Sequence, residues 1–191
     1  ARLKPGDTVA IFGLGVVGIL TAQVAKINGA IEVYGIDVLE YRVSAAPHYG
    51  ADTVFLASSG SFLKEGQASI AWIMEQTSGR GVDVAIDCTN SSDGLGLACA
   101  AARPAGRVVL TGISGEEQDS VPVSIARRRE LTLQWCRRFL HNYPATIAMI
   151  NGGRLDAASL ITHVFPFDKA DEAFALTAGY HDNVFKASIE W

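Results

Sequence analysis

Strand-length apolar runs alternate with helix-length segments through the first 111 residues, and this alternation restricts the possible folds more than any other feature of the sequence. Five strands are predicted, over residues 8–12, 32–36, 53–56, 82–87 and 107–111. Four helices are predicted between them, over residues 16–26, 40–49, 67–76 and 92–102, and a turn at 103–106 is expected to close the last. A helix is the usual connection between parallel strands, so the segment is predicted to be a parallel sheet with helices on both faces.

After residue 112 the pattern is less regular. A short extended stretch is predicted over 121–125, then a solvated turn at 127–129, a sixth strand over 130–136 and a helix over 143–151. Two further strands, over 163–167 and 185–191, flank a helix over 169–177. We expect these two strands to pair with each other or with a domain that this chain lacks. The predicted fold class is therefore α/β, a doubly wound parallel six-stranded sheet with a short C-terminal β-α-β appendage.

Composition excludes several classes of protein. The chain has 191 residues, 49% of them hydrophobic, and a net charge of −4, so long disordered regions are not expected. Only 16 residues are Lys or Arg, which argues against a nucleic-acid partner. The sequence shows neither a signal peptide nor an apolar run of roughly 20 residues, so no membrane partner is expected and the protein is predicted to be cytoplasmic. The three cysteines form no CxxC pair and the four histidines no HxxxH spacing, so no metal ligand is predicted.

The most specific motif is a turn of sequence GLGVVG between the first predicted strand and the first predicted helix. In this context Gly13 makes the tight turn, Gly15 lets the backbone approach a pyrophosphate, and Gly18 lets the helix pack closely on the strand. Val16 and Val17 begin the helix, where backbone N–H groups and the helix dipole favour phosphate. The turn therefore predicts the dinucleotide site of a Rossmann fold. The alternative is a turn in which the glycines are incidental.

A carboxylate follows the glycine-rich turn at the spacing expected of dinucleotide-binding folds. Asp37 follows the second predicted strand, where a carboxylate accepts hydrogen bonds from the adenosine ribose hydroxyls and repels a 2′-phosphate. Val38 and Leu39 come next instead of a basic residue, so the predicted cofactor is NAD rather than NADP. The alternative role for Asp37 is to cap the following helix. Arg42 is predicted either to lie over the adenosine ribose or to be a solvated helix residue.

Other candidate residues stand at the ends of later strands, because ligands of open α/β sheets bind at the carboxyl ends of the strands. They are Cys88, Thr89, Thr111, Gly112, Ile113, Cys136, Arg137 and Arg138. Cys88 is predicted to be a small buried residue rather than a nucleophile. Arg137 and Arg138 are predicted to reach the cofactor or a subunit interface, or else to lie at the surface.

Several motifs together resemble the nucleotide-binding domain of zinc-dependent medium-chain alcohol dehydrogenases, over nearly the whole chain. They are Lys4-Pro5-Gly6-Asp7-Thr8-Val9, the GLGVVG turn, Asp37, Tyr49-Gly50-Ala51-Asp52 and Gly81-Val82-Asp83. Later segments look most like sorbitol and xylitol dehydrogenases, namely Arg138-Phe139 through Tyr143-Pro144, Gly153-Arg154-Leu155 and residues 160–166 (LITHVFP). By this similarity, NAD would contact Val17, Asp37, Arg42, residues 111–113 and residues 136–138. Asn90, Arg137 and Phe139 depart from the usual residues of the family or of its polyol enzymes.

The resemblance also implies how the chain relates to a whole enzyme. Residues 1–162 would form the NAD-binding domain, and residues 163–191 would return to an N-terminal GroES-like catalytic domain that carries the zinc. The start at Ala1 is likewise expected of a piece of a longer protein. The chain alone is therefore predicted to be inactive, with NAD as its own cofactor and a small alcohol or polyol as the substrate of the full enzyme.

The resemblance further implies a homodimer or homotetramer. The sixth predicted strand is expected at the sheet edge, with Leu131, Leu133 and Trp135 alternating toward one face, and an unprotected edge pairs readily with a second copy. Two other functions stay open. One is a non-catalytic module that senses NAD(H), and the other is a zinc-independent quinone reductase, which would usually favour NADPH, against Asp37. Zinc ligands in upstream sequence would decide for the dehydrogenase.

Overall fold

The structure is a computed structural model that describes residues 1–58, 66–115, 117–118 and 120–191. It consists of two compact units, residues 1–143 and residues 144–191. This boundary precedes the one predicted from the sequence, which follows residue 162. Within the described parts of the chain, no helix is both long and apolar enough to cross a lipid bilayer.

A six-stranded parallel sheet forms the first unit, which confirms the predicted fold class. Its strands are β1 (Thr8–Phe12), β2 (Glu32–Asp37), β3 (Thr53–Leu56), β4 (Val82–Asp87), β5 (Ala102–Leu110) and β6 (Thr132–Trp135). Their order across the sheet is β3-β2-β1-β4-β5-β6, and each neighbouring pair is parallel. β1 has two neighbours, with Ile11 opposite both Gly35 of β2 and Ile86 of β4. This is the doubly wound Rossmann order, in which the succession of strands reverses between β1 and β4.

Helices connect the strands of this sheet. They are α1 (Val16–Ile27), α2 (Glu40–Ala45), α3 (Gly66–Gln76), α4 (Gly94–Ala101) and α5 (Val123–Arg128). The helix predicted over 40–49 is α-helical only as far as Ala45, and a 3-10 turn, Ala46–Tyr49, completes it. Pro47 explains the change, because it has no backbone N–H with which to continue the α-helical hydrogen bonds.

The core lies on both faces of the central strands. On β1, Val9 and Ile11 lie on one face and Ala10 on the other, and none of the three has exposed surface. Strands that are covered on both faces are apolar throughout instead of alternating with polar residues. The small residues of α4, such as Ala98, are buried as well, and they let this helix approach the sheet closely. Burial of this apolar surface is the main source of stability for the sheet.

A charged cluster lies beside the core at the amino-terminal ends of the strands. Asp83 of β4 has 6% of its side chain exposed, and its Oδ1 accepts hydrogen bonds from Arg80 Nη2 and Arg103 Nε, both at 2.6 Å. Its Oδ2 accepts the Thr8 N–H at 3.0 Å and the Thr8 hydroxyl at 2.9 Å. Burial by itself raises the pKa of Asp83, but these hydrogen bonds outweigh burial and hold its pKa well below the usual range. The carboxylate therefore stays ionised and joins β1, β4 and β5.

The prediction of an extended stretch over 121–125 is wrong, because α5 occupies most of it. Val121 and Ile125 pack against the core, whereas Val123 is 65% exposed. In a strand Val121, Val123 and Ile125 would share one face, so the exposure of Val123 argues against a strand; Val121 lies just before the N-cap of α5 and Ile125 in its first turn. The Pro122 carbonyl accepts the first hydrogen bond of α5, and proline suits the start of a helix because its missing N–H would have no partner there.

The prediction of a solvated turn at 127–129 holds for the first two arginines but not for Arg129. Arg127 and Arg128 are exposed, but Arg129 Nη1 donates hydrogen bonds to the carbonyl oxygens of Ala100 and Ala102, both at 2.7 Å. These carbonyls lie at the C-terminal end of α4, where backbone oxygens lack partners within the helix and the dipole favours a cation. Arg129 thereby connects α5 with the end of α4 and the start of β5.

The bounds of β5 and β6 differ from the predictions for identifiable reasons. β5 includes residues 103–106, predicted to be a turn, although its pairing with β4 shifts between Val82 and Val84 and Ala105 has a left-handed φ of 56°. The first part of β5 is therefore irregular, because it contains the backbone conformation of a turn within the strand. β6 is shorter than the predicted 130–136, because Glu130 has a φ of 51°, which lies outside the strand region.

The second unit is built around a small sheet. Its elements are α6 (Tyr143–Asn151, of which Tyr143 closes the first unit), β7 (Ile161–Pro166), α7 (Ala170–Ala178) and β8 (Lys186–Glu190). β7 and β8 are parallel and pair with each other, with Val164 opposite Ser188. This pairing confirms the predicted β-α-β appendage. Of the two pairings expected for these strands, the structure shows the one in which they pair with each other.

Candidate functional site

The candidate site lies at the carboxyl ends of β1, β2 and β4, at the point where the strand order reverses. The Gly13 N–H after β1 donates to the carbonyl of Ile36 in β2 at 2.8 Å. The Cys88 N–H after β4 donates to the carbonyl of Phe12 in β1, also at 2.8 Å. Ligands of open α/β sheets bind in the crevice that forms at this point. The three loops are held against one another by the backbone.

The three glycines of the turn differ in the space that surrounds their Cα atoms. Gly13 has a φ of 88°, and a Cβ there would lie 2.9 Å from the Cys88 carbonyl oxygen. A Cβ at Gly18 would overlap the carbonyl oxygen of Gly13. A Cβ at Gly15, in contrast, would lie 3.6 Å from its nearest neighbour, Arg42 Nη1, which is an ordinary contact. Gly13 and Gly18 are therefore required by the packing of the protein, whereas Gly15 leaves an opening that a ligand can use.

The first turn of α1 faces this opening. Gly15 is the N-cap of the helix and has no side chain with which to satisfy the N–H groups there. The Ile19 N–H bonds to the Gly15 carbonyl at 2.9 Å, so the N–H groups of Val16, Val17 and Gly18 precede the helical hydrogen-bond ladder. Val17 is 53% exposed. Such N–H groups and the helix dipole make a helix N-terminus suitable for a phosphate group.

Asp37, the last residue of β2, contacts the glycine-rich turn itself and is 5% exposed. Its Oδ2 accepts a hydrogen bond from the Leu14 N–H at 2.6 Å, and its Oδ1 accepts one from the Leu39 N–H at 2.9 Å. Leu39 is the N-cap of α2, so helix capping does not explain the position of Asp37. The carboxylate connects the end of β2 with the turn after β1, where dinucleotide folds bind the adenosine ribose.

Arg42 of α2 lies beside Asp37, with 16% of its side chain exposed, and is not a solvated helix residue. Its Nη1 is 3.6 Å from Asp37 Oδ2. Its Nε donates a hydrogen bond to the Tyr41 hydroxyl at 3.1 Å, and its Cζ lies 5.6 Å from the centre of the Tyr41 ring. The structure thus places a guanidinium group between the buried carboxylate and the opening at Gly15.

Cys88 is bonded to two threonine hydroxyls. Its Sγ is 3.1 Å from Thr111 Oγ1 after β5 and 3.8 Å from Thr21 Oγ1 in α1. Burial raises the pKa of the Cys88 thiol to about 11, although both threonine hydrogen bonds act in the opposite direction. A thiol with this pKa is protonated at neutral pH and is a poor nucleophile. Cys88 therefore connects α1 with the ends of β4 and β5.

Thr89, Thr111, Gly112 and Ile113 lie around the ends of β4 and β5. The Thr89 hydroxyl donates to Asp87 Oδ1 at 2.7 Å, while the N–H groups of Thr111 and Gly112 both donate to the Asp87 carbonyl at 2.9 Å. Ile113 is 67% exposed. Asp87 thus holds together both loops on the β4 side of the crevice.

Cys136, Arg137 and Arg138 are exposed and follow β6 at the edge of the sheet. The Cys136 N–H donates to the Leu110 carbonyl at 2.8 Å, which places it beside the end of β5. Because β4 and β5 separate β6 from β1, these three residues do not join the group around Asp37.

Sequence analysis missed four participants in this site, Leu14, Thr21, Tyr41 and Asp87. Leu14 contributes a backbone N–H, which no side-chain motif signals, although a carboxylate ending the strand next to the turn could have indicated such a bond. Among the residues that the structure describes, no group of three or more His, Cys, Asp or Glu side chains is arranged to hold a metal ion.

Comparison with known families decides what kind of chain this is. A family model described as zinc-binding dehydrogenase matches residues 16–152, from the first residue of α1 to just beyond α6. The chain belongs to the zinc-binding dehydrogenase family. The resemblance to sorbitol and xylitol dehydrogenases is confirmed by the names of similar proteins in this family.

Two curated relatives and one solved structure show how much of such a dehydrogenase is present. D-xylulose reductase of Saccharomyces cerevisiae is 30% identical over 191 residues, which are 100% of this chain and 52% of that protein. Sorbitol dehydrogenase of Homo sapiens is 34% identical over 169 residues, 88% of this chain and 46% of that protein. An Escherichia coli oxidoreductase/dehydrogenase of unknown specificity has a TM-score of 0.87 at 28% identity, covering 100% of this chain and 53% of its own. This zinc-binding dehydrogenase chain spans about half the length of the curated relatives.

Proposed function

We propose that the chain is the NAD(H)-binding half of a zinc-dependent dehydrogenase that acts on a polyol or another secondary alcohol. The observation that carries the proposal is the buried Asp37 carboxylate, bonded to the Leu14 N–H of the glycine-rich turn at 2.6 Å. Relatives named D-xylulose reductase and sorbitol dehydrogenase support the substrate class. The proposal places the zinc in the half of the enzyme that this chain does not span.

The residues present fit a nicotinamide dinucleotide. A pyrophosphate requires N–H donors and a close backbone, and the open Cα of Gly15 at the start of α1 offers both. Adenosine ribose hydroxyls require an acceptor, which Asp37 provides. Nicotinamide cofactors supply hydride transfer when bound. The contribution of this chain is to bind and orient the cofactor, with Val17, residues 111–113 and residues 136–138 as further proposed contacts.

We propose NAD(H) rather than NADP(H) because a 2′-phosphate would meet the Asp37 carboxylate. Titration of the 191-residue chain with each reduced cofactor, followed by nicotinamide fluorescence, is expected to show NADH binding about tenfold or more tighter than NADPH, which corresponds to about 1.4 kcal/mol. Asp37→Ala is expected to narrow this difference and to lower the melting temperature, because the Leu14 N–H loses its acceptor.

Asp52→Ala is the matched control. Asp52 resembles Asp37 in accepting a backbone N–H, that of Val33 at 2.7 Å, and in pairing with a cation, Lys26 at 2.9 Å, but it precedes β3 at the opposite end of the strands. Removing the Asp52 carboxylate should lower the melting temperature and leave the ratio of NADH to NADPH affinity unchanged. Equal or tighter binding of NADPH by the unmodified chain would contradict the proposal.

We also propose a homodimer formed through β6. This strand is the last in the sheet and pairs only with β5 among the described strands, and Trp135 is 59% exposed. Leu133→Pro removes a backbone donor and is expected to yield monomers in light scattering at micromolar concentration. Leu133→Ala loses the same side chain, which packs on the core, but keeps the N–H, so it should be less stable and still dimeric. A monomeric unmodified chain would show that β6 is not the contact.

A further inference from the structure

Tyr41 and Arg42 make a contact that neighbouring helix residues do not ordinarily make. Side chains one position apart on a helix point in different directions. Here both residues belong to α2, yet Arg42 Nε donates a hydrogen bond to the Tyr41 hydroxyl at 3.1 Å and Cζ lies 5.6 Å from the ring centre. The Arg42 side chain therefore turns back over the residue before it.

The other end of the same guanidinium group faces the dinucleotide site. Nη1 is 3.6 Å from Asp37 Oδ2. Nη1 and Nη2 lie 3.6 and 3.9 Å from the position that a Cβ of Gly15 would take. One planar group thus touches Tyr41 on one side and the carboxylate and the glycine-rich turn on the other. With 16% of the Arg42 side chain and 4% of the Asp37 side chain exposed, solvent screens the pair only weakly.

We propose that Tyr41 is a positioning residue for the choice of dinucleotide, an inference that rests on the proposed binding of NAD(H). By accepting the Arg42 Nε–H, the hydroxyl keeps the guanidinium group paired with Asp37 and beside Gly15. Held there, the guanidinium adds positive charge next to the pyrophosphate position. A guanidinium group held at two points does not move to pair with a 2′-phosphate. The arrangement therefore favours binding of NAD(H) over binding of NADP(H).

Tyr41→Phe tests this role, because it keeps the ring and removes only the acceptor oxygen. NADH affinity of the 191-residue chain is expected to fall about threefold to tenfold, the net worth of one typical hydrogen bond. The ratio of NADH to NADPH affinity should fall at least as much, since the loosened guanidinium can reach a 2′-phosphate. Tyr49→Phe removes a hydroxyl from the adjacent 3-10 turn and is expected to change neither affinity.

A double-mutant cycle separates positioning from a structural role. If Tyr41 acts through Arg42, Tyr41→Phe costs no further NADH affinity in an Arg42→Gln background, whereas a structural role would cost the same in both backgrounds. Arg42→Lys keeps the charge but has no Nε, so it should lose NADH affinity by about the factor seen for Tyr41→Phe. Equal losses in both backgrounds, or wild-type NADH affinity in Tyr41→Phe or in Arg42→Lys, would overturn the inference alone. An unmodified chain that binds neither cofactor would overturn the proposed function and this inference together.

Discussion

Gly18→Ala is expected both to destabilise the chain and to weaken dinucleotide binding, whereas Gly15→Ala is expected to weaken binding alone. The Gly18 Cβ would overlap the Gly13 carbonyl oxygen, so α1 or the turn must move. Overpacking of this kind costs roughly 1–3 kcal/mol, which lowers the melting temperature by several degrees in a chain of this size. At Gly15 the added methyl meets only Arg42 at 3.6 Å and fits the protein, but it fills the opening at the start of α1.

The pair of variants forms its own control, since the same methyl group is added three residues apart. In thermal unfolding, the melting temperature of Gly18→Ala should lie below that of the wild type, and the melting temperature of Gly15→Ala should equal it. NADH titration should show a loss of about tenfold or more for both. If Gly15→Ala binds NADH with wild-type affinity, the pyrophosphate of the ligand does not lie against Gly15.

Asp83→Asn is expected to lower the free energy of unfolding by about 1–3 kcal/mol at pH 7, because it removes the buried charge that accepts hydrogen bonds from Arg80, Arg103 and Thr8. The effect depends on pH in a defined direction. The folded-state pKa of Asp83 is lowered, so its stabilisation is complete above the unfolded-state pKa of about 3.9 and is lost as the pH falls toward the folded-state pKa. The stability difference between wild type and Asp83→Asn should therefore shrink between about pH 4 and pH 2.

Urea unfolding at several pH values measures this difference. Glu172→Gln is the control, because its ion pair with Lys169 has side chains that are 56% and 52% exposed and is worth at most about 0.5 kcal/mol. A difference between wild type and Asp83→Asn that grows as the pH falls would contradict the assignment of the carboxylate as ionised.

The sheet was predictable because its central strands are unbroken apolar runs separated by helix-length segments. Residues 121–125 were not, because Val121, Val123 and Ile125 alternate as a strand would, and only the structure shows that Val123 is exposed while Val121, just before α5, and Ile125, in its first turn, pack on the core. Arg129 was misinterpreted for a similar reason. Three consecutive arginines suggest a solvated turn, and the carbonyls that Arg129 meets come from residues 27 and 29 positions earlier in the chain.

Within the candidate site, the sequence pointed to the groups with a fixed local geometry. The turn that follows β1 and the carboxylate that ends β2 follow from strand ends meeting at one edge of a parallel sheet. The carboxylate at the strand end could have indicated the bond from the Leu14 N–H to Asp37. The contact of Arg42 with Tyr41 was not predictable, because adjacent residues of a helix do not ordinarily face each other.

The central place of β1 has a consequence for how the chain folds during synthesis. β1 pairs with β2, which begins at Glu32, and on its other side with β4, which begins only at Val82. A chain that emerges from the ribosome amino end first can assemble β1, β2 and β3 while the second edge of β1 has no partner. That edge runs through a fully apolar segment, residues 9–12, and an apolar unpaired edge readily recruits strands from other chains. Until residue 87 has emerged from the ribosome, a nascent chain is therefore exposed to aggregation through this edge, and a chaperone that covers the edge would protect it.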